Sequence, residues 1–307
     1  MIPTNHISTI AGILAIVMWS ITITISRSLS EKLGPTTAAL SIFIFASAAS
    51  FITLTNPKER KKTLQLPKKY LIICGLLFIA HNSTLFLAVG FSTSMEQVLH
   101  VTILNYLWPF FTLLFVYFIL KRPANLLLLF VSSGIVLSGL FIVLNFSSTQ
   151  VTTLERSISK LLQQPIPYIL ALGAAACWGL YSALTQHWTT TQSSSGVSIF
   201  FPGTTLVFYL IYLTSNEVSI WSNQAIIEMI SLGTATYLAY WCWDKAMQQG
   251  NIVMLGTLSY FIPALSILAT SLYLSVSINN YFWSGCGIMI LGSYLSKTSF
   301  KYVPDKT

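Results

Sequence analysis

Long apolar runs separated by short polar connections dominate the chain. Each run has about 18–25 residues, the length that a helix needs to cross the hydrocarbon core of a bilayer. The runs are continuous and do not alternate, which excludes the pattern of a membrane β-barrel. The pattern predicts an all-α membrane protein with ten transmembrane helices. The predicted spans are residues 7–27, 35–55, 70–91, 95–120, 125–145, 167–187, 197–215, 225–246, 251–275 and 281–299.

The second half of the chain repeats the first. The segment Leu104–Pro109 is answered by Leu258–Pro263 at an offset of 154 residues, and Trp19 is answered by Trp178 at an offset of 159. Each half contains five predicted spans. A tandem copy of an odd number of spans enters the membrane from the opposite side, so the halves are predicted to be inverted repeats. The predicted boundaries are 1–145 for the first five-helix repeat, 146–166 for a connecting loop, 167–299 for the second repeat and 300–307 for a cytoplasmic tail.

Four glycines recur in the fifth and tenth predicted spans. Gly134 and Gly139 correspond to Gly287 and Gly292 at an offset of 153 residues. Small residues allow transmembrane helices to approach closely. These two spans are therefore predicted to form a packing face or a dimer face.

The composition fits this picture. Of 307 residues, 54% are hydrophobic and 8% are charged, whereas a soluble domain carries about 25% charge. The net charge is +8, but the basic residues lie in short loops, which favours orientation signals and headgroup contacts over a nucleic-acid site. Placing both termini in the cytoplasm puts twelve of the sixteen Lys and Arg residues inside, six of them in the 56–69 loop. The sequence therefore predicts a multi-pass protein of a bacterial inner membrane.

Enzyme and metal chemistry find no support in the sequence. The four cysteines (Cys74, Cys177, Cys242 and Cys286) lie in apolar spans without a paired spacing, so neither a disulfide nor a metal site is predicted. No phosphate-binding loop and no nucleophile–base motif occurs. We predict no cofactor and no enzymatic activity.

Three motifs resemble those of a known group. The run Asn105–Pro109, the run Ser259–Pro263 and the pair Trp19-Ser20, set in a five-plus-five layout, resemble the drug/metabolite transporter superfamily. The resemblance is strongest to the aromatic amino acid exporter branch of its EamA-type proteins. It implies an inner-membrane carrier with a central cavity. Some relatives export amino acids, and others exchange S-adenosylmethionine.

Two mid-span prolines mark the repeated segments. Pro109 and Pro263 each remove a backbone donor and bend the helix, so they are predicted as helix kinks that shape one cavity at mid-membrane, with Tyr106 and Tyr260 beside them. The alternative is a pair of packing kinks in which the tyrosine hydroxyls make interhelical hydrogen bonds.

Aromatic and amide side chains in the spans are the candidate ligands of a solute. Rings offer apolar contact with a polar handle, and their faces also suit a cationic group. The alternatives are an interfacial aromatic belt and a histidine satisfied by a neighbouring helix. The predicted substrate-binding residues are Trp19, His81, Asn82, Asn105, Tyr106, Trp108, Trp178, Tyr181, Tyr237, Trp241 and Tyr260.

Few titratable groups fall in or near the spans. Glu96 and His100 are four residues apart, so a helix would bring them together as a proton-linked pair. Alternatively, Glu96 complements the dipole of a helix that begins after Ser94. Asp244 and Lys245 are interpreted as a solvated helix end.

Together these features predict a secondary transporter of a small zwitterionic metabolite, with an aromatic amino acid as the first choice. An S-adenosylmethionine/S-adenosylhomocysteine exchanger on the same scaffold is the alternative substrate assignment, and a non-transporting membrane protein or enzyme subunit is the alternative of another class. The expected partners are the solute and the lipid bilayer, with the chain acting as a monomer or homodimer. Transport direction, coupling ion and exact solute are left open by the sequence.

Overall fold

A computed structural model describes residues 5–145, 163–190, 194–274 and 280–300 of the chain. Within these ranges the fold is all-helical, as predicted, and extended pairing is limited to a single antiparallel bridge between Ala124 and Phe300. Most of the predicted connecting loop and the predicted tail after residue 300 lie outside the described residues.

Thirteen α-helices make up the described part of the chain. They are accompanied by a π-helical turn, Tyr70–Cys74, and a 3₁₀ turn, Ser259–Phe261. The helices are α1 His6–Leu33, α2 Pro35–Thr55, α3 Pro57–Leu64, α4 Gly75–Gly90, α5 Met95–Asn105, α6 Trp108–Ile119, α7 Leu126–Asn145, α8 Ile166–Thr189, α9 Val197–Tyr212, α10 Asn223–Gln249, α11 Ile252–Leu258, α12 Ile262–Leu274 and α13 Asn280–Thr298.

Six of the described segments are long and apolar enough to cross a membrane. Two shorter apolar helices, His6–Thr22 and Val197–Tyr212, accompany them, whereas α10 and α13 are helical but not among the six. The multi-pass membrane class is therefore established, and the count of ten spans stays a prediction. The six segments are Pro35–Thr55, Tyr70–Gly90, Glu96–Ile119, Leu126–Leu144, Ile166–Thr189 and Ile252–Ala269.

The helices group into two compact units. Unit 1 comprises Ala80–Ala183 and Ile252–Thr307, and unit 2 comprises Ile2–Ile79 and Leu184–Asn251. The boundaries fall inside α4 and α8. Each unit therefore combines helices from the first half and from the second half of the chain.

In unit 2, α1 packs antiparallel along α10. At one end of this pair the Asn5 amide donates to the Gln249 carbonyl oxygen at 2.9 Å. At the other end the Lys32 ammonium lies 2.7 Å from the Glu228 carboxylate, which also accepts from the Ser28 hydroxyl at 3.1 Å. These contacts fix the register of the pair over its whole length.

The start of α2 is capped by an acidic side chain from the loop before α10. Glu217 accepts hydrogen bonds from the backbone amides of Thr36 and Thr37, at 2.9 and 2.8 Å. Gly34, which precedes the helix, has φ +84°, and a Cβ there would lie 2.6 Å from the Glu217 carboxylate, so only glycine fits. Burial raises the pKa of the Glu217 carboxyl, but the four hydrogen bonds from Thr36 and Thr37 lower it by more, and the pKa is below its ordinary value.

Replacing Glu217 by glutamine should lower the unfolding temperature of the purified protein at neutral pH, because an amide can satisfy only one of the two helix donors. The expected loss is about 1 kcal/mol or less, typical of a partly exposed cap. Since the folded pKa is depressed, the stabilisation is present above the unfolded-state pKa and is lost as the pH falls through the folded-state pKa.

Melting curves of the Glu217→Gln variant and the wild type should therefore converge in acid. Glu59→Gln is the matched control, since Glu59 lies on the surface helix α3, where it pairs with Lys62 at 2.9 Å. A constant gap between wild type and Glu217→Gln at all pH values would contradict the capping role.

In unit 1, α7 and α13 pack against each other through glycines. A Cβ on Gly139 would lie 2.9 Å from the Met289 amide nitrogen, and a Cβ on Gly292 would lie 2.8 Å from the Val136 amide nitrogen. Residues 136 and 139 correspond to 289 and 292 at the offset of 153, so one contact becomes the other when the two copies are exchanged. We call this contact the glycine seam. It lies within one chain, which makes Gly139 and Gly292 packing residues.

The same unit contains two interrupted helices at corresponding positions. α5 ends at Asn105 and α6 begins at Trp108, while the 3₁₀ turn Ser259–Phe261 separates α11 from α12, which begins at Ile262. Residues 108 and 262 differ by the offset of 154. Pro109 and Pro263 each occupy the second position of the new helix, where the missing amide hydrogen costs nothing.

Candidate functional site

A cluster of rings in unit 1 surrounds Trp178 on α8. The Trp178 ring stacks on Tyr181 with centroids 4.8 Å apart and lies 4.8 Å from the His81 ring of α4. The Trp108 ring, from the first turn of α6, meets it edge-on at 6.4 Å. All four side chains are buried. We call these four residues the Trp178 cluster.

The His81 imidazole has a defined tautomer. Its Nδ1 atom lies 2.9 Å from the carbonyl oxygen of Ala174. A carbonyl oxygen can only accept, so Nδ1 carries the hydrogen and donates it. In a neutral imidazole Nε2 is then the acceptor nitrogen. The cluster thus combines ring faces with the acceptor nitrogen of His81.

The position of Trp178 depends on the residue that follows it. A Cβ on Gly179 would lie 2.7 Å from the Thr112 amide nitrogen and 2.6 Å from the Phe111 Cβ on α6. A backbone atom this close cannot be moved cheaply, so only glycine lets α8 approach α6 here. This close approach brings Trp178 next to Trp108.

Two predicted site residues carry side-chain amides. One lies at the helix break after α5, and the other lies on α4. Asn105 is the last residue of α5, and within the described residues its Oδ1 atom is buried without a hydrogen-bond partner. Asn82 follows His81 and is buried. A buried amide oxygen without a donor is costly, and the position of Asn105 at a helix break is suited to a ligand that brings a donor.

The two repeat-related tyrosines share one apolar cluster. Tyr260 belongs to the core of unit 1, and Tyr106 packs against the same core. The Tyr260 hydroxyl lies 3.2 Å from the Ser133 hydroxyl of α7. The corresponding segments of the two halves therefore meet in the same unit, and the Tyr260 hydroxyl is used in an interhelical hydrogen bond.

Glu96 and His100 lie one turn apart at the start of α5, as their spacing predicts. The Ser94 hydroxyl accepts from the Gln97 amide at 3.2 Å and caps this helix, with Glu96 in its first turn. The His100 ring is stacked on Tyr168 of α8 with centroids 6.4 Å apart.

The remaining predicted site residues belong to unit 2. Trp19 packs against Tyr240 and Trp243 of α10, at 5.4 and 5.3 Å between centroids. The Tyr237 hydroxyl lies 2.9 Å from the Thr53 hydroxyl and 3.0 Å from the Ser198 hydroxyl, so its polar end bridges three helices.

Trp241, in contrast, is on the surface of unit 2. It is 36% exposed, and the Lys245 ammonium lies 5.5 Å from its ring centroid. This is a cation–π contact of a surface indole. Trp241 is thus exposed, whereas the Tyr237 and Trp243 rings of the same helix are buried.

The prediction of a solvated helix end at Asp244 is wrong. Asp244 is fully buried, and both of its carboxylate oxygens accept from the Tyr70 hydroxyl. No sequence pattern indicates this pair, because the two residues are 174 positions apart. Gly179 and the Ala174 carbonyl, which position members of the Trp178 cluster, were also not predicted from the sequence. The glycine after a tryptophan in an alanine-rich span was the one available signal.

Within the described ranges, no three His, Cys, Asp or Glu residues lie close enough together to hold a metal ion.

An all-helical chain with several apolar membrane-spanning segments, interrupted helices and a buried ring cluster has the architecture of a multi-pass membrane carrier. Comparison with known proteins identifies the particular group: the chain belongs to the EamA-like transporter family, whose model matches residues 6–145 and 165–298. It is therefore a small-molecule transporter and not an enzyme.

Two curated relatives are similar over nearly their whole length. The aromatic amino acid exporter YddG of Escherichia coli strain K12 is 28% identical over 292 residues, covering 95% of this chain and 97% of the relative. The protein of the same name from Salmonella typhimurium is 29% identical over 293 residues, covering 95% and 97%. A solved crystal structure with 20% sequence identity superimposes with a TM-score of 0.76, covering 94% of this chain and 96% of its own. The structural likeness supports the fold alone.

Proposed function

We propose that this protein is a secondary transporter that carries a small zwitterionic solute, an aromatic amino acid first of all, across the bacterial inner membrane by alternating access. The scaffold would be ten transmembrane helices arranged as two inverted five-helix repeats, residues 1–145 and 167–299, with both termini in the cytoplasm. The observation that carries the proposal is the Trp178 cluster beside the interrupted helix at Asn105.

The glycine seam supports the inverted arrangement. α7 and α13 are antiparallel, since the Asn125 amide donates to the Ser299 carbonyl oxygen at 2.8 Å. Exchanging the two copies of the repeat converts each glycine contact into the other. Two antiparallel helices with this property are related by a two-fold axis perpendicular to the helices. Such an axis in the membrane plane is the symmetry of inverted repeats. The family match to two successive segments agrees with this symmetry.

The Trp178 cluster and Asn105 supply the chemistry that the ring and the ammonium group of an aromatic amino acid need. Ring faces provide contact for an aromatic side chain. The lone pair of His81 Nε2 and the amide oxygen of Asn105 accept hydrogen bonds from an ammonium group. The names of the two relatives favour an amino acid as the solute.

Counterflow in vesicles tests the proposal directly. Vesicles loaded with unlabelled tryptophan or phenylalanine should accumulate the labelled solute transiently, with saturation kinetics, as a carrier and not a channel does. S-adenosylmethionine is the competing solute in the same assay, because a sulfonium cation also favours ring faces. Absence of counterflow with every amino acid and with S-adenosylmethionine would contradict the proposal.

Asn105→Ala should raise the apparent KM for the solute without lowering the unfolding temperature. A hydrogen bond to a charged group contributes about 1.5–3 kcal/mol, so the KM should rise by roughly 10- to 100-fold. In the absence of solute the variant loses a buried oxygen that has no partner among the described residues, and its stability should be unchanged or higher.

Asn125→Ala is the matched control for this variant. The Asn125 side chain accepts from the Leu128 amide at 3.1 Å and caps α7, so its loss should lower the unfolding temperature slightly and leave KM alone. The opposite pattern, a destabilised Asn105→Ala with unchanged KM, would make Asn105 a purely structural residue.

A further inference from the structure

Unit 2 contains a buried carboxylate at the point where three of its segments meet. Asp244, near the end of α10, is 0% exposed. The π-helical turn that begins at Tyr70 and the segment 194–196 before α9 both contact it or its neighbours. Ionisable groups buried in membrane helices are expensive and are usually part of an ion or proton pathway.

The hydrogen-bond roles in this network follow from the chemistry of its groups. The Gly196 amide can only donate, so at 3.0 Å it donates to the Tyr70 oxygen. The Tyr70 hydroxyl hydrogen is then directed at the Asp244 carboxylate, whose two oxygens lie 2.8 and 2.9 Å away. The Gln248 amide group donates to one Asp244 oxygen at 3.0 Å and to the Ser194 carbonyl oxygen at 2.7 Å. In each of the contacts to Asp244, from Tyr70 and from Gln248, the carboxylate accepts, as the ionised form does.

The segment 194–196 is held against this network with little clearance. A Cβ on Gly196 would lie 2.7 Å from the Tyr70 ring and 2.9 Å from its oxygen, so glycine is required for the amide to reach Tyr70. The Ser194 hydroxyl lies 2.7 Å from the Thr63 hydroxyl at the end of α3. The segment thus connects α3, the π-helical turn and α10 through a few hydrogen bonds.

We propose that Asp244 is a proton-binding site whose protonation releases the segment 194–196 and thereby couples proton movement to transport. This inference rests on the transport function proposed above. Binding one proton converts the carboxylate to a neutral acid, whose hydroxyl must donate. The Tyr70 oxygen is an adjacent acceptor, and a hydrogen bond donated by Asp244 competes there with the one from the Gly196 amide. Loss of the proton restores the original bonds.

The titratable groups around Asp244 come from three elements. Tyr70 and Cys74 lie on the π-helical turn and interact electrostatically with Asp244. Lys245 follows Asp244 on α10, and it interacts with Glu59 and Lys62 of α3. The segment 194–198 contributes only hydroxyl and backbone groups. The carboxylate of Asp244 is therefore the one acidic side chain at the centre of the network among the described residues.

Solute accumulation driven by a pH gradient tests this assignment. The purified wild-type protein in vesicles is given a gradient of one pH unit, in either direction, with labelled amino acid at equal concentration on both sides. One proton moved per solute gives an accumulation of up to about tenfold per pH unit. For Asp244→Asn the accumulation ratio should fall to one, and counterflow without a gradient shows whether that variant still carries solute.

A second variant and a control complete the test. Tyr70→Phe keeps the carboxylate but removes the hydroxyl that connects it to Gly196, and its accumulation ratio should also fall towards one. Glu59→Gln, on the exposed surface of α3, should keep the wild-type ratio. Tyr70→Phe decides the matter if Asp244→Asn does not fold.

The outcomes separate this inference from the proposed function. Wild-type vesicles without counterflow would overturn the transport proposal itself. Counterflow without any response to the pH gradient, or a full response in Asp244→Asn or in a folded Tyr70→Phe, would overturn the proton site alone.

Discussion

Trp178→Ala should reduce solute transport at sub-saturating concentrations by roughly 30-fold per folded molecule. Trp178 contacts the rings of His81, Tyr181 and Trp108. Aromatic pairs contribute about 0.5–1.5 kcal/mol each beyond their buried area. Loss of the solute's own contact with the Trp178 ring, together with the ring arrangement that Trp178 maintains, should weaken binding by about 2 kcal/mol. Initial uptake rates in vesicles, normalised to folded protein, measure the effect.

Because Trp178 is only 2% exposed, its replacement by alanine also leaves a cavity that costs about 3–5 kcal/mol of stability. Trp178→Phe keeps a ring face at a smaller stability cost and should show an intermediate transport defect. Trp221→Ala is the control, since Trp221 is 57% exposed. Equal uptake by Trp178→Ala, Trp221→Ala and wild type would remove the Trp178 cluster from the transport mechanism.

The second large effect is expected at the glycine seam. Gly139→Val and Gly292→Val should each prevent recovery of folded protein, because the new side chain meets backbone atoms of the facing helix at less than 3.0 Å. Overpacking of a close contact typically costs about 1–3 kcal/mol, and a branched side chain against backbone lies at the upper end. Fluorescence-detected size exclusion in mild detergent gives the folded yield.

The chain supplies its own controls for this test. A Cβ on Gly134 or on Gly287 meets no other atom within 4 Å. Gly134→Val and Gly287→Val should therefore fold in wild-type yield, although they lie on the same two helices and repeat each other in sequence. Four variants with equal yields would show that the seam does not require glycine.

The sequence predicted the features that depend on pattern. Apolar runs and the offsets between copies were enough to predict the all-helical membrane class and the packing of the two glycine-bearing helices. These features depend on neighbouring residues or on a fixed repeat offset, so they can be predicted from a single sequence.

Features that arise from distant contacts could not be predicted in this way. Asp244 has the sequence context of a helix end, and its burial follows from Tyr70 and Gly196, which no spacing rule connects to it. Tyr237 was expected at the solute, but in the structure its hydroxyl joins Thr53 and Ser198. The backbone carbonyl of Ala174 has no sequence signature at all. In each case the decisive partner is a group whose type is common and whose position is set by packing.

The antiparallel pairing of α1 with α10 has a consequence for biosynthesis. Lys32 and its partner Glu228 are 196 residues apart. At roughly 5–20 residues per second the ribosome takes about 10–40 seconds to reach the second residue after the first. During that interval α1 is in the translocon or the lipid, and the face that packs against α10 lacks this partner. The pairing of these two helices therefore follows the insertion of α10, and a chain that stops before residue 223 would leave α1 without this partner.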